Sequence, residues 1–325
     1  MLVWLACAGM PEGRAQQALP EVVDLAPVVV SGAQPRPGMW RVTDAQGHTL
    51  WILGTVSPLP AKLDWRADEV KAVIASADAV LGPPGWTLDA DVGFFSRLTL
   101  FPSAMKAQHD PQGRRLQEIL PPALYARWQP LKARYLGRGN GVEKDRPLVA
   151  ATRLYVAALD EVGLSPRSSV GKQLEKAYKA RGLTPVVTRV VIKVDDPRAA
   201  LKEVRASPLQ DVDCLQRTLD VVEHHLPLLV ERANAWAVGD IDALQQLALE
   251  NQYDACVGAI ASSELGRRRG MSDLDARSAA KWLAAARDTL ARHPVTFATV
   301  SVHLLVEPGG YLDGLRQAGF AVESP

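Results

Sequence analysis

Polar and apolar residues alternate through MWRVT (39–43), and after the polar stretch DAQGH the chain turns apolar again through TLWILGT (49–55). This pattern predicts a β-hairpin, with Gly47 at the permissive turn position. Val70, Val73, Ile74 and Ala77 follow at helical spacing within DWRADEVKAVIASADAVL, so a strand–turn–helix unit is complete by residue 78. AVLGPPG is then a short strand cut off by Pro83 and Pro84.

Residues 110–163 read as several helices bounded by DPQG, LPP and RP, with Leu148, Leu154, Val156 and Leu159 on apolar stripes. GKQLEKAYKARGLTPVVTRVVIKVDDP predicts a helix, a stop at Gly182 and a strand, which is a second α/β unit. Residues 208–251 are helical apart from a break where Gly239 ends one helix and Asp240 caps the next. The C-terminal section repeats the opening plan: helix SDLDARSAAKWLAAARDTLARH with Ser272 as N-cap, strand VTFATVSVHLL, turn EPGG, helix YLDGLRQAG ended by Gly319, and strand FAVES. The expected fold is therefore α/β, with strand–helix units at both ends of the chain forming one mixed core and a large helical insertion in the middle.

Residues 39–325 form a single domain on this reading. Residues 19–38, with four prolines and little periodicity, form an extended leader. Within it DLAPVVVSG resembles a TonB box, the alternative being an edge strand. Residues 1–18 read as a shortened export signal, an apolar segment followed by small residues but lacking the usual opening Lys or Arg. A frayed apolar tail and a misplaced start codon are the alternatives. Trp4 spoils a lipoprotein reading around Cys7.

The balance of 37 basic against 36 acidic residues removes any overall field that would draw nucleic acid or an anionic membrane. No apolar run approaches the ~20 residues of a membrane-spanning helix. Cys214 and Cys256 remain in the mature portion, and in an exported protein such a pair reads as one disulfide; in a cytosolic one it reads as two buried thiols. No cysteine spacing matches a zinc site.

MWRVTDAQGHTLWILGTVSPLP, ANAWAVGDIDAL and FATVSVHLLVEPGGYLDGLRQAGFAV together resemble the TraB/GumN family, related to the TIKI proteins, and in the family's order. The resemblance covers residues 39–323, most specifically in the C-terminal block. It implies a site built around two Gly-x-x-His motifs, an acidic residue after the first helix and an arginine on the last long helix. It also implies metal-dependent hydrolase or peptidase chemistry. Glycine permits a tight turn at a strand end, and neutral imidazoles from two strands can grip one divalent metal, with a carboxylate as further ligand or general base.

Carried over by residue, the pattern is broken in a complementary way. Gly54-Thr55-Val56-Ser57 keeps the glycine and has Ser57 where histidine belongs; Val300-Ser301-Val302-His303 keeps His303 and has Val300 where glycine belongs. Gly82 or Pro83 occupies the acidic position. Arg277 matches the family arginine, followed by Ser278 in place of asparagine. A hydroxyl is a poor ligand for a divalent transition metal and one imidazole binds such ions weakly, so no metal is expected, and His303 is the single retained ligand candidate.

A Ser57 nucleophile with His303 as base, oriented by Asp78, Asp89 or Asp91, is the competing chemistry. Against it, no nucleophile elbow surrounds Ser57 and Pro58 removes a backbone N–H. As plain structural residues, Ser57 is a turn-former and His303 a hydrogen-bonded histidine at a strand end.

The other histidines, His48, His109, His224, His225 and His293, lack ligand spacing, and the GRRRG run at 267–269 reads as a solvated loop. Trp40, Trp51, Trp65, Trp236 and Trp282 read as core packing, with some lining a cleft between the two ends of the fold. The resulting expectation is a periplasmic or secreted protein of the bacterial envelope with a degenerate site, binding a peptide, protein or glycan. The alternative is an active hydrolase with a rearranged site that uses His303, Arg277 and Ser57 and a divalent Mn, Co or Zn.

Overall fold

The computed structural model describes residues 37–90, 94–207, 211–247, 256–258, 260–261 and 263–325. The export signal, the TonB-box resemblance, Cys7 and Asp91 lie outside the described residues. Its strands are β1 (Met39–Thr43), β2 (Thr49–Thr55), β3 (Leu59–Pro60), β4 (Ala79–Leu81), β5 (Trp86–Asp89), β6 (Leu164–Ser165), β7 (Val190–Lys193), β8 (Val295–Ser301) and β9 (Ala321–Glu323).

The hairpin forms as the alternation predicts. β1 and β2 pair antiparallel from Met39↔Leu53 to Thr43↔Thr49. In the turn, Asp44 Oδ1 accepts from the backbone N–H of Gln46 and His48 at 2.9 and 2.8 Å, and Gly47 takes φ 85°.

The main sheet has the order β4-β8-β2-β1-β9. β2, β8 and β4 are mutually parallel, while β1 runs antiparallel to both β2 and β9, so the sheet is mixed. Strands from the first 81 residues and the last 31 thus interleave in one sheet, which is why the two ends of the chain share a core. β2 and β8 are mostly buried, as parallel strands covered on both faces are. Helix Asp68–Ser76 contributes Val70 and Ile74 to the core, and helix Leu274–Leu290 contributes Trp282, Ala286 and Leu290.

The middle of the chain is mostly helical, as expected, with β6 and β7 between its helices; helix Phe94–Ala107 adds to those read from the sequence. Gly239 closes helix Leu226–Val238 in the left-handed conformation, φ 73°, and Asp240 Oδ1 accepts from the Ala243 N–H at 2.9 Å. Cys214 and Cys256 form a disulfide with a Cα–Cα distance of 4.7 Å, fastening helix Asp211–Asp220 to the segment at residue 256.

β7, the strand of the second α/β unit, pairs with β5 in a separate two-stranded sheet. Three sequence expectations need correction. The predicted strand 295–305 stops at Ser301, and Val302–Val306 is a helical turn. β2 ends at Thr55 opposite Ser301, so later residues have no ladder partner on that side, and a helical turn buries both Val302 and Leu305 at spacing i, i+3. Helix Leu274–Leu290 is preceded by Asp273, so Ser272 is not its cap. The basic run 267–269 is solvent-exposed as expected but closes helix Glu264–Arg268 instead of forming a loop, and Arg268 and Arg269 pair with Glu203 on helix Pro197–Ala206.

Gly54 also differs in its reason from the expectation. It lies within β2 rather than in a turn, and a Cβ there would come 2.5 Å from Cζ3 of Trp40 and 2.8 Å from Cγ2 of Val302. Trp40 is buried to 1% exposure, so its ring has nowhere to retreat. Gly54→Ala is expected to destabilise the protein by about 1–3 kcal/mol through overpacking, read as a lower urea midpoint with unchanged slope. A midpoint equal to the parent's would mean that Trp40 repacks freely.

Candidate functional site

Ligands of open α/β sheets gather beyond the carboxyl ends of parallel strands, where backbone leaves the sheet. Here β2, β8 and β4 end side by side, at Thr55, Ser301 and Leu81. The segments Gly54–Ser57 and Val300–His303 are direct neighbours in this ladder: Gly54 pairs with Val300 and Thr55 with Ser301, on strands roughly 4.8 Å apart. The Thr55 hydroxyl donates to the Val300 carbonyl at 3.3 Å. Ser57 and His303 therefore each depart two residues beyond adjoining strand ends.

The β2 tip is held from helix Leu226–Val238. Trp236 Nε1 donates to the Gly54 carbonyl at 2.7 Å, and one turn earlier Arg232 Nη2 donates to the Ser57 carbonyl at 2.6 Å. Spacing i, i+4 places both side chains on one helix face. Trp236 is fully buried and packs tilted against Trp65 with ring centroids 5.7 Å apart. The Ser57 side chain is exposed at this tip. Arg232, buried at 8% exposure, is absent from the sequence reading; a lone arginine in the apolar run LPLLVERANAW is the signal that could have found it.

At the β8 tip, His303 opens the helical turn with its side chain 53% exposed and Nε2 3.4 Å from Glu307 Oε2. Sequence reasoning missed Glu307, although i, i+4 spacing on a helix brings the two together. The EPGG turn is fixed by Gly310, where a Cβ would lie 2.5 Å from the Leu304 carbonyl oxygen.

The β4 tip carries Gly82 where the resemblance places an acid. Its N–H donates to the Val186 carbonyl at 3.0 Å, and its own carbonyl accepts from Trp282 Nε1 at 3.1 Å and the Thr188 hydroxyl at 2.9 Å. A Cβ on Gly82 would stand 2.9 Å from the Val186 oxygen. The segment around Val186, ahead of β7, thus takes the space that a side chain at residue 82 would need.

Arg277 is turned to the start of its own helix, donating to the Gly270 carbonyl at 3.0 Å and lying 3.4 Å from Asp273, not to Ser57 or His303. Ser278 beside it is buried and accepts from the Gly85 N–H at 2.6 Å. Tyr311 packs edge-on to Trp282 at 5.3 Å, and burial pushes its hydroxyl pKa up. Asp78 accepts from the Val295 N–H at the opposite end of β8, about 20 Å along the strand from His303, so it cannot orient that imidazole. Asp89 ends β5 in the separate small sheet. Among the described residues no three His, Cys, Asp or Glu side chains gather closely enough to hold a metal ion.

The same sheet edge also bears a cleft of about 770 Å³ over the β1 and β9 ends, lined by Met39, Arg41, Trp51, Glu69, Val238 and Glu323. Arg41 lies over the Trp51 ring at 5.9 Å and pairs with Glu323 at 3.4 Å. No helix among the described residues is long and apolar enough to cross a membrane.

Comparison with curated proteins and with solved structures gives no match. A family model, that of the TraB/PrgY/gumN family, matches residues 38–324, nearly all of the described fold. The chain belongs to the TraB/PrgY/gumN family.

Proposed function

We propose that this protein is an exported binding protein of the bacterial envelope, built on the TraB/PrgY/gumN scaffold with its metal-dependent hydrolase site decayed. The observation that carries the reading is the chemistry of the three adjoining tips: one imidazole at His303, a hydroxyl at Ser57 and a wedged glycine at Gly82. Such a donor set does not fit a divalent transition metal, which needs several nitrogen, sulfur or carboxylate ligands converging from fixed directions. Glu307 supplies one carboxylate to His303, and an imidazole–carboxylate pair alone falls short of that set.

Support for binding comes from the cleft on the same edge. It exceeds the lower size of small-molecule sites and combines an aromatic platform, Trp51, with charges of both signs. A peptide or glycan of the envelope suits such a lining. Support for export comes from the Cys214–Cys256 disulfide, a bond that persists in oxidising compartments.

Metal analysis of the purified chain after dialysis against Mn, Co and Zn tests the reading. Less than one tenth of an ion per chain is expected, on the order of adventitious binding, with no change in His303→Ala. About one tightly held ion per chain, lost in His303→Ala, would reject decay and favour an active hydrolase with a rearranged site.

A further inference from the structure

Far along the chain from the strand tips, helices Leu116–Ile119 and Pro122–Tyr135 and the loop from residue 137 to 141 enclose a second cavity of about 310 Å³. Three cations line it, Arg115, Lys132 and Arg138, against one carboxylate, Glu143. That carboxylate faces inward: its Oε1 accepts from the Trp128 indole N–H at 3.0 Å and lies 3.4 Å from Lys132 Nζ. Glu143 is buried and Lys132 partly so, with side chains 8% and 12% exposed, so the pair forms the floor. Among the described residues neither Arg115 nor Arg138 has an ion-pair partner, and the cavity keeps a surplus of positive charge.

The loop over it reads Gly137-Arg138-Gly139-Asn140-Gly141. A Cβ on any of its three glycines would meet nothing within 4 Å, so packing does not explain them. Gly137 takes φ 77°, and from this loop Arg138 and Asn140 line the cavity. Guanidinium groups on a cavity wall can bind a phosphate through charge-assisted, bidentate hydrogen bonds. Around the charges stand Gln117, Gln129, Asn140 and Tyr125, whose amides and phenol have the donors and acceptors to hydrogen-bond hydroxyl groups. Burial and the negative charge of Glu143 raise the Tyr125 pKa, and its phenol hydrogen-bonds with Gln129 and Glu143.

We propose that this cavity is a binding site for a phosphorylated polyol of about monosaccharide size, its phosphate held by Arg115 and Arg138, and its hydroxyls read by Gln129, Asn140 and Tyr125. A phosphate fits better than a carboxylate because it brings up to two charges and three acceptor oxygens to a wall with several donors.

Calorimetric titration of the full chain with glucose 6-phosphate, glucose and inorganic phosphate tests the assignment. Saturable binding of one glucose 6-phosphate per chain is expected, weaker binding of inorganic phosphate, and none of glucose. The Arg115→Ala/Arg138→Ala double variant, altering two exposed side chains, is expected to melt with the parent and bind glucose 6-phosphate about tenfold or more weakly. Absent binding of glucose 6-phosphate, unchanged affinity in a folded double variant, or inorganic phosphate binding as tightly as the sugar phosphate each overturns the proposal.

Discussion

Trp236→Ala is expected to lower stability by about 3–5 kcal/mol, the range for truncating a buried tryptophan. Trp236 is fully buried and rests against Trp65, so its removal leaves a cavity between helix Leu226–Val238 and the sheet. It also strips the Gly54 carbonyl of its indole donor, leaving a buried acceptor that carries a further cost of about 1–3 kcal/mol if water cannot reach it. The two contributions separate experimentally. Trp236→Phe keeps most of the volume and loses the hydrogen bond, and should fall between parent and alanine variant in urea unfolding. A phenylalanine variant as stable as the parent would show that the indole bond to the strand tip contributes nothing.

Loss of the disulfide ranks next. The bond closes a loop with a sequence separation of 42, for which the chain-entropy model gives about 4 kcal/mol. Cys214→Ala/Cys256→Ala, chosen to avoid placing a hydroxyl where Cys214 is fully buried, should show that loss in non-reducing unfolding. Reductant should then destabilise the parent and leave the variant unmoved. Thiol labelling of the denatured, unreduced protein should modify neither Cys214 nor Cys256. Labelling at both would remove the bond and with it the argument for an oxidising compartment.

Where local pattern and local geometry coincide, the chain was readable. The β1–β2 hairpin follows from alternation and one glycine turn, and the break at Gly239 and Asp240 from cap chemistry that acts over four residues. The adjacency of the two motifs was an expectation from family resemblance, and the Gly54↔Val300 register places them side by side. The end of β8 was not readable, because the alternation of ATVSVHL continues past Ser301 while Val302 and Leu305 also fit helical spacing, until the length of β2 decides.

The contacts of Gly82 and Arg232 were hidden for a different reason. Each depends on a segment more than 100 residues away, Val186 in one case and Ser57 in the other, and no periodicity carries that information. Arg277 illustrates the converse. The resemblance led to the expectation that it serves the site, yet its guanidinium is spent on the Gly270 carbonyl, a choice set by the turn that precedes the helix.

The two indole donors have a consequence for how such a site can change. Gly54 and Gly82, at the ends of two parallel strands, are each latched by a tryptophan rooted in the hydrophobic interior. Neither latch involves the side chain of Ser57 or His303, both of which project outward. Chemistry at this rim is therefore mechanically uncoupled from the frame beneath it: a histidine could give way to a serine there without loosening a strand, and a histidine could be put back at the same low cost.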